Sequence, residues 1–333
     1  MTSDASSQIQ RAAALLRAGE VVAFPTETVY GLGADALNPA AVAKVFAAKD
    51  RPADHPLIVH LPLNADLSMW AREVPPVAEK LALAFWPGPL TLILPRQKRI
   101  PEIVTGGQDT VGLRVPDHPL ARQLLAAFAG GIAAPSANRF GRISPTTAEH
   151  VRLELGDRIA MILDGGPCAV GIESTIVDVS RRTPRILRPG AITSRDIEDV
   201  AGVSVGLGPG AGDETEIPRV SGSLPGHYAP RTPLVLVAAA QMRDELNARL
   251  AQGLDLAVLG RQAQRVVDGR IHWQRALSDP AGYAHDLYAH LRALDALGVD
   301  LIVVEALPEE AAWLAVRDRL SRAACGSGAD EEP

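Results

Sequence analysis

A chain of 333 residues with 47% hydrophobic and 22% charged content has an ordinary globular composition and is too long for one core, so two domains are expected. Its formal charge of −6 falls entirely beyond residue 205, and no Lys/Arg-rich tract stands out, which argues against a stable nucleic-acid partner. Two cysteines distant in sequence (Cys168 and Cys325), no apolar run near the roughly 20 residues that span a bilayer, and no signal-peptide-like apolar core near the N-terminus argue against a disulfide framework, a zinc site and a membrane partner; the cytoplasm is the expected location.

Along the chain, short β-branched runs alternate with alanine-rich helical patterns to about residue 200. Strands are predicted at 20–24 (EVVAF), 56–61 (PLIVHL), 90–95 (LTLILP), 110–116 (TVGLRVP), 131–135 (GIAAP), 160–166 (AMILDGG) and 174–180 (STIVDVS). Helices are predicted at 8–18, 39–48, 74–86, 119–128 and 146–155, with Asn38 as a cap and Pro39 at the first helical position. This alternation predicts an α/β fold. Residues 206–233 are rich in Gly, Pro, Ser and Thr without an apolar period and read as a linker, long enough to act as a lid. A second α/β pattern follows: strands PLVLVAA, LDLAVLG, IHWQRAL and DLIVVEAL, with helices from 241, over 280–297 and over 308–323. The expected organisation is 1–205 catalytic, 206–232 linker or lid, 233–325 a small α/β domain and 326–333 a flexible tail.

Four segments carry the residues with chemistry. In PTETVYGLG, Thr26, Glu27, Thr28 and Tyr30 follow a strand, where α/β sheets place ligands; the plain alternative is a polar turn whose glycines serve the backbone. In KDRP, Lys49 and Arg51 follow a helix: a compact charge and a planar fork that can hold phosphate, or a solvated helix end. In APSANRFGRISPTT, a short strand runs into Ser136, Asn138, Arg139, Arg142, Ser144 and Thr146, and Ser144-Pro145-Thr146 reads as a helix start with free N–H groups suited to an anion; an ordinary capped loop is the alternative. GIESTIVDVS starts a strand with Glu173, Ser174 and Thr175, while Arg114 and Arg188 end strands in GLRVP and RILRPG; single arginines of this kind commonly pair with surface carboxylates.

No P-loop, convincing dinucleotide fingerprint, HExxH, GxSxG or Cys-His set is present, and the eight histidines lack ligand spacing. A site rich in phosphate binders and poor in nucleophiles predicts nucleotidyl transfer by positioning and charge neutralisation, with metal ions brought by the nucleotide.

The order PTETVYGLG, KDRP…HPLIVH, WPGPLTLIL, GLRVP, SAN…SPT, ESTIVD and LRPG resembles the YrdC-like L-threonylcarbamoyladenylate synthases, and HYAPRTP followed by a small α/β domain resembles their long, two-domain form. Each motif is weak alone; seven in order are specific. The resemblance implies a twisted, mixed, open-sheet YrdC-like domain, a linker and a smaller Rossmann-like domain. It implies that L-threonine, bicarbonate and ATP give threonylcarbamoyl-AMP and pyrophosphate, for threonylcarbamoyladenosine at position 37 of tRNA. ATP would be a substrate, Mg²⁺ would travel with it, no metal would be protein-held, and downstream tRNA threonylcarbamoyl-transfer enzymes would be transient partners. By motif, Thr28, His60, Arg114, Ser174 and the backbone at Ala134 would contact threonine. Lys49, Arg51, His55, Thr110, Ser136, Asn138, Arg142, Ser144, Arg188 and, in HYAP, Tyr228 would contact ATP, with Lys49 and Arg51 offsetting phosphate charge in catalysis.

Two residues depart from the family pattern: His55 stands where Asn is more usual, and Phe140 where a small Ser is common. Two other functions are weighed against this one. YrdC-like domains also occur in carbamoyltransferases that make carbamoyl-adenylate, but their zinc-finger and acylphosphatase-like segments are not visible here. A non-catalytic RNA-binding module would need a basic surface, which a neutral first half and an acidic second half do not favour.

Overall fold

The structure, a computed structural model, describes residues 3–208 and 217–328. Contacts divide the chain into one unit of residues 1–140 and 145–223 and a second of 141–144 and 224–333. In chain order the first unit carries α1 (Ser3–Arg17), β1 (Val22–Phe24), β2 (Gly31–Asp35), α2 (Pro39–Lys49), β3 (Ile58–His60), α3 (Pro76–Phe85), β4 (Leu90–Pro95), α4 (Glu102–Thr105), β5 (Thr110–Arg114), α5 (Pro119–Phe128), β6 (Ile132–Ala133), α6 (Ala148–Leu155), β7 (Met161–Ile162), β8 (Thr175–Asp178), β9 (Arg185–Arg188), α7 (Ser194–Ala201) and β10 (Gly206–Leu207).

Its strands form one ten-stranded sheet in the order β10-β9-β8-β4-β5-β3-β6-β2-β1-β7. Parallel pairs (β3 with β5, β4 with β8) alternate with antiparallel ones (β4 with β5, β3 with β6, β8 with β9), so the sheet is mixed and open, as expected. Two buried clusters pack on it. The larger joins Val42, Val45 and Phe46 of α2 to Leu32, Val59, Leu92 and Leu113 of the strands. The second joins Ala12, Ala13 and Leu16 of α1 to Leu124 and Leu125 of α5 over Val22 and Phe24.

Local chemistry explains most element ends. Asn38 caps α2, its Oδ1 accepting from Ala40 N at 3.1 Å and Ala41 N at 3.2 Å, with Pro39 first in the helix. Besides β10, which lies inside the expected linker, three elements escape the sequence reading. GLGAD, read as a turn, is β2: a Cβ on Gly33 would sit 2.6 Å from Ile132 Cγ2 and 2.8 Å from Phe24 Cε1, so the glycine serves strand packing. The others are α4 and α7, the latter started by a capping box between Thr193 and Asp196. One expectation is corrected. The helix does not start at Ser144-Pro145-Thr146; α6 starts at Ala148, capped by Thr147. Pro145 O accepts from Tyr30 N at 2.9 Å and Thr146 O from Cys168 N at 2.9 Å, so these carbonyls are committed to tertiary bonds.

The described end of the 206–233 connection within this unit is packed rather than loose. Val220 is buried against Ile93 and Ile176, and Gln108 brackets Arg219, accepting from its N–H at 2.6 Å and donating to its carbonyl at 3.1 Å. The expected middle of the linker, 209–216, and the last five residues of the expected tail lie outside the described residues.

In the second unit, β11 (Leu234–Val237), α8 (Met242–Ala251), β12 (Leu256–Gly260), β13 (Ile271–Arg275), α9 (Pro280–Asp295), β14 (Leu301–Glu305) and α10 (Leu314–Gly326) follow the predicted pattern. Its four strands are all parallel in the order β11-β14-β12-β13, the expected Rossmann-like arrangement. Among the described residues, no helix is long and apolar enough to cross a membrane.

Candidate active site

Strand register assembles a row of polar groups at one end of the large sheet. His60 pairs with Arg114 across β3 and β5, Leu90 pairs with Thr175 across β4 and β8, and Ile176 pairs with Arg188 across β8 and β9. Each of these polar groups stands at or next to a strand end, where ladder pairing stops. Thr91, Ser174 and Arg188 are bonded together: Ser174 Oγ lies 2.8 Å from Thr91 Oγ1 and accepts from Arg188 Nη2 at 3.1 Å. Gly190 permits this closeness, since a Cβ there would fall 2.4 Å from Thr175 N.

Arg114 and His60 are nearly sealed from solvent. Arg114 is ion-paired at 2.5 Å with Glu27, itself buried, rather than with the surface carboxylate that a lone arginine commonly finds. Burial, reinforced by the Arg114 charge, pushes His60 down to about 3, so the imidazole is neutral at physiological pH. Among the described residues its buried Nδ1 has no hydrogen-bond partner. Nearby in sequence, the hydroxyl of Thr26 donates to Val29 O at 2.6 Å and accepts from the N–H groups of Thr28 and Val29. The Thr28 hydroxyl lies 2.8 Å from the Thr26 hydroxyl, and Thr28 is fully buried. Ala134 is buried at the end of β6, its N–H donating to Ile58 O at 2.9 Å.

The second group of candidates gathers around the end of α2. Lys49 is 1% exposed, which overturns the solvated-helix-end reading of KDRP. Its Nζ donates to Ser136 O at 2.6 Å and to Asn138 O, drawing the SAN segment onto the helix end. Burial, then the neighbouring Arg51 charge, holds its pKa well below the usual lysine value. Arg51 donates to Pro56 O at 3.0 Å and to Ser221 Oγ at 3.4 Å. His55 and Phe140, the two departures from the family pattern, touch one another with ring centres 5.1 Å apart, and the Arg51 guanidinium lies 5.9 Å from the Phe140 ring centre. Burial and the Arg51 charge lower His55. Thr110 starts β5, at the opposite end of that strand from Arg114, and lines a pocket with Pro56, Gln108 and Ser221.

Arg188 links the groups. It donates to Ser174 O from Nε at 3.1 Å and Nη2 at 3.0 Å, and to Ser221 O from Nη1 at 2.9 Å; Ser221 in turn meets Arg51. Sequence reasoning marked Glu27 in the PTET segment without giving it a contact, and gave no role to Thr91 or Ser221. A lone acid just past a strand and a lone hydroxyl inside an apolar strand were the available signals for the first two; nothing in the linker composition marked the third.

Three candidates belong to the second unit. Arg142 forms a bridge with Ala229, and Ser144 is buried on the same short segment. Tyr228 has φ +62°, rare for a residue with a side chain, and its buried ring stacks on Tyr288 at 5.8 Å with the Arg319 guanidinium 5.3 Å away. Cys168, buried with its thiol pushed up to about 12 by burial, is no nucleophile, and both cysteines are free.

Comparison with known proteins decides the family. The Sua5/YciO/YrdC family, described as "Telomere recombination", matches residues 14–190, and the family "Threonylcarbamoyl-AMP synthase, C-terminal domain" matches 192–325. The chain belongs to the Sua5/YrdC family. It is 40% identical to the threonylcarbamoyl-AMP synthase of Pyrococcus abyssi (strain GE5 / Orsay), covering 95% of this chain and 94% of that one, and 43% identical to that of Bacillus subtilis (strain 168), covering 96% and 93%. A crystal structure of P. abyssi Sua5 complexed with L-threonine superposes with a TM-score of 0.87 at 37% identity, covering 97% of this chain and 96% of that one. The Sua5 likeness therefore extends over both units.

Proposed function

We infer that this chain condenses L-threonine, bicarbonate and ATP into L-threonylcarbamoyl-AMP with release of pyrophosphate, supplying the group placed on adenosine 37 of tRNA in the cytoplasm. The observation that carries it is the pairing of a buried neutral His60 with a buried Arg114 at one sheet end, where Arg188 reaches from Ser174 to the Ser221 that meets Arg51, in a chain whose full-length relatives are threonylcarbamoyl-AMP synthases.

In this reading Arg114 takes the threonine carboxylate, and Thr28, His60, Ser174 and the Ala134 backbone take its amine and hydroxyl. The amine adds to the carbon of bicarbonate-derived CO2, giving a carbamate. A carbamate oxygen attacks the α-phosphorus of ATP, and the bond to the leaving pyrophosphate breaks. No residue forms a covalent intermediate. Lys49 and Arg51 offset charge on the triphosphate, Ser136, Asn138, Thr110, His55 and Arg188 orient the nucleotide, and Arg142, Ser144 and Tyr228 are assigned to ATP by motif. Mg²⁺ enters with the phosphates. Low solvent access at His60 and Arg114 protects a carbamate that water would destroy.

Pyrophosphate release measured with each substrate withheld in turn tests this reading. Release that requires both threonine and bicarbonate supports it. Release driven by carbamoyl phosphate in their place would make the chain a carbamoyl-adenylate former, and salt-sensitive RNA binding with no release at all would make it a binding module.

A further inference from the structure

We propose that Glu27 is the positioning residue for threonine: it fixes Arg114 so that one end of the guanidinium, and no other, receives the substrate carboxylate. The proposal rests on Arg114 binding that carboxylate.

The guanidinium of Arg114 offers five N–H groups in a planar fork. Nε donates to Gly88 O at 3.3 Å and Nη2 donates to Glu27 Oε1 at 2.5 Å. Both contacts lie on the Nε–Nη2 side of the fork. Among the described residues Nη1 has no partner, so the Nη1–Nη2 end remains for a bidentate carboxylate. Glu27 is itself held, its Oε2 accepting from Asp117 N at 2.9 Å. Asp117 follows β5 after Val115 and Pro116, so the carboxylate is anchored to the same strand end as the arginine it orients. Side chains exposed only 4% and 9% leave little room for either to swing. Next to Arg114 across the strands, His60 has, among the described residues, a buried Nδ1 without a hydrogen-bond partner.

A residue that acts only by orienting Arg114 matters only to ligands bearing the group that Arg114 grips. The test compares binding of L-threonine and L-threoninamide, which lacks the carboxylate, by calorimetry on the full chain. The proteins are wild type, Glu27→Gln, Glu27→Asp and Arg114→Ala, with Glu27→Gln also placed in the Arg114→Ala background. Gln offers an N–H where Glu27 has an acceptor, and Asp keeps the charge but withdraws it by one methylene.

For both Glu27 variants we expect at least a tenfold loss for threonine, a change under threefold for threoninamide, and an unchanged KM for ATP. In the Arg114→Ala background, Glu27→Gln should cost threonine binding nothing further. Equal weakening of threonine and threoninamide, or a full Glu27→Gln penalty without Arg114, overturns the proposal and makes Glu27 a general structural residue. If Glu27→Gln does not fold, Glu27→Asp alone carries the threonine-to-threoninamide ratio. A wild type that binds neither ligand would refute the functional reading instead, which keeps the two failures apart.

Discussion

Arg188 grips Ser174 and Ser221 at once, donating to the Ser174 carbonyl at 3.0 and 3.1 Å and to the Ser221 carbonyl at 2.9 Å. Ser174 belongs to the threonine-side row, and Ser221 touches Arg51. One planar fork thus holds together segments assigned to different substrates. Lysine has a single point charge and cannot span them. Arg188→Lys should therefore raise KM for both threonine and ATP by about tenfold, the scale of one lost charge-assisted hydrogen bond. Steady-state kinetics with each substrate varied checks this; an effect confined to ATP would show that the link to Ser174 is idle.

Lys49 has a structural as well as a chemical task. Its Nζ binds the carbonyls of Ser136 and Asn138 from a position 1% exposed. Lys49→Ala leaves both carbonyls without this donor and opens a cavity, so a loss of about 2–4 kcal/mol in chemical denaturation is expected, together with about a hundredfold fall in pyrophosphate release. Lys49→Met fills the space and should recover part of the stability and none of the activity. Recovery of activity in Lys49→Met would remove the lysine from catalysis.

His60 sets an acid limit on stability. Its folded value is about 3 against an ordinary value of 6.5, so the unfolded chain binds the extra proton first. Its contribution is intact above about pH 6.5 and falls as pH drops toward 3, at about 1.4 kcal/mol per pH unit. Denaturation midpoints for wild type and His60→Gln between pH 7 and pH 4 check the sign: the wild-type curve should fall more steeply. Parallel curves would mean that His60 is protonated in the folded protein.

Gly190 tolerates no side chain. With a Cβ placed 2.4 Å from Thr175 N, Gly190→Ala must push the β9 end away from the Ser174–Thr175 backbone. A destabilisation of about 1–3 kcal/mol is expected, with a raised KM for threonine. Thermal unfolding beside threonine kinetics tests it; an unchanged Tm would show that the segment relaxes freely.

The sequence made much of this visible because the chemistry lies where strands stop. Residues 90–95 and 119–128 announce β4 and α5 by β-branched content in one and by helical periodicity after a Pro start in the other. His60, Arg114, Ser174 and Arg188 could each be placed at or next to a strand end from local pattern, and Thr28 just past one. Register could not be read, so nothing in the sequence said that His60 faces Arg114 or that Ser174 reaches Thr91. Burial was equally hidden: Lys49 reads as a helix-end cation, and only the folded chain shows its ammonium closed over the SAN carbonyls. The helix expected at Ser144-Pro145-Thr146 failed for a related reason, since tertiary partners claim the carbonyls that a helix would use.

The most direct measurement is mass spectrometry of the product formed from ATP, threonine and ¹³C-labelled bicarbonate. The account predicts an adenylate carrying the threonine mass and one labelled carbon, in step with pyrophosphate release and absent in Arg51→Ala. An adenylate without the label, or label incorporated without threonine, would contradict it.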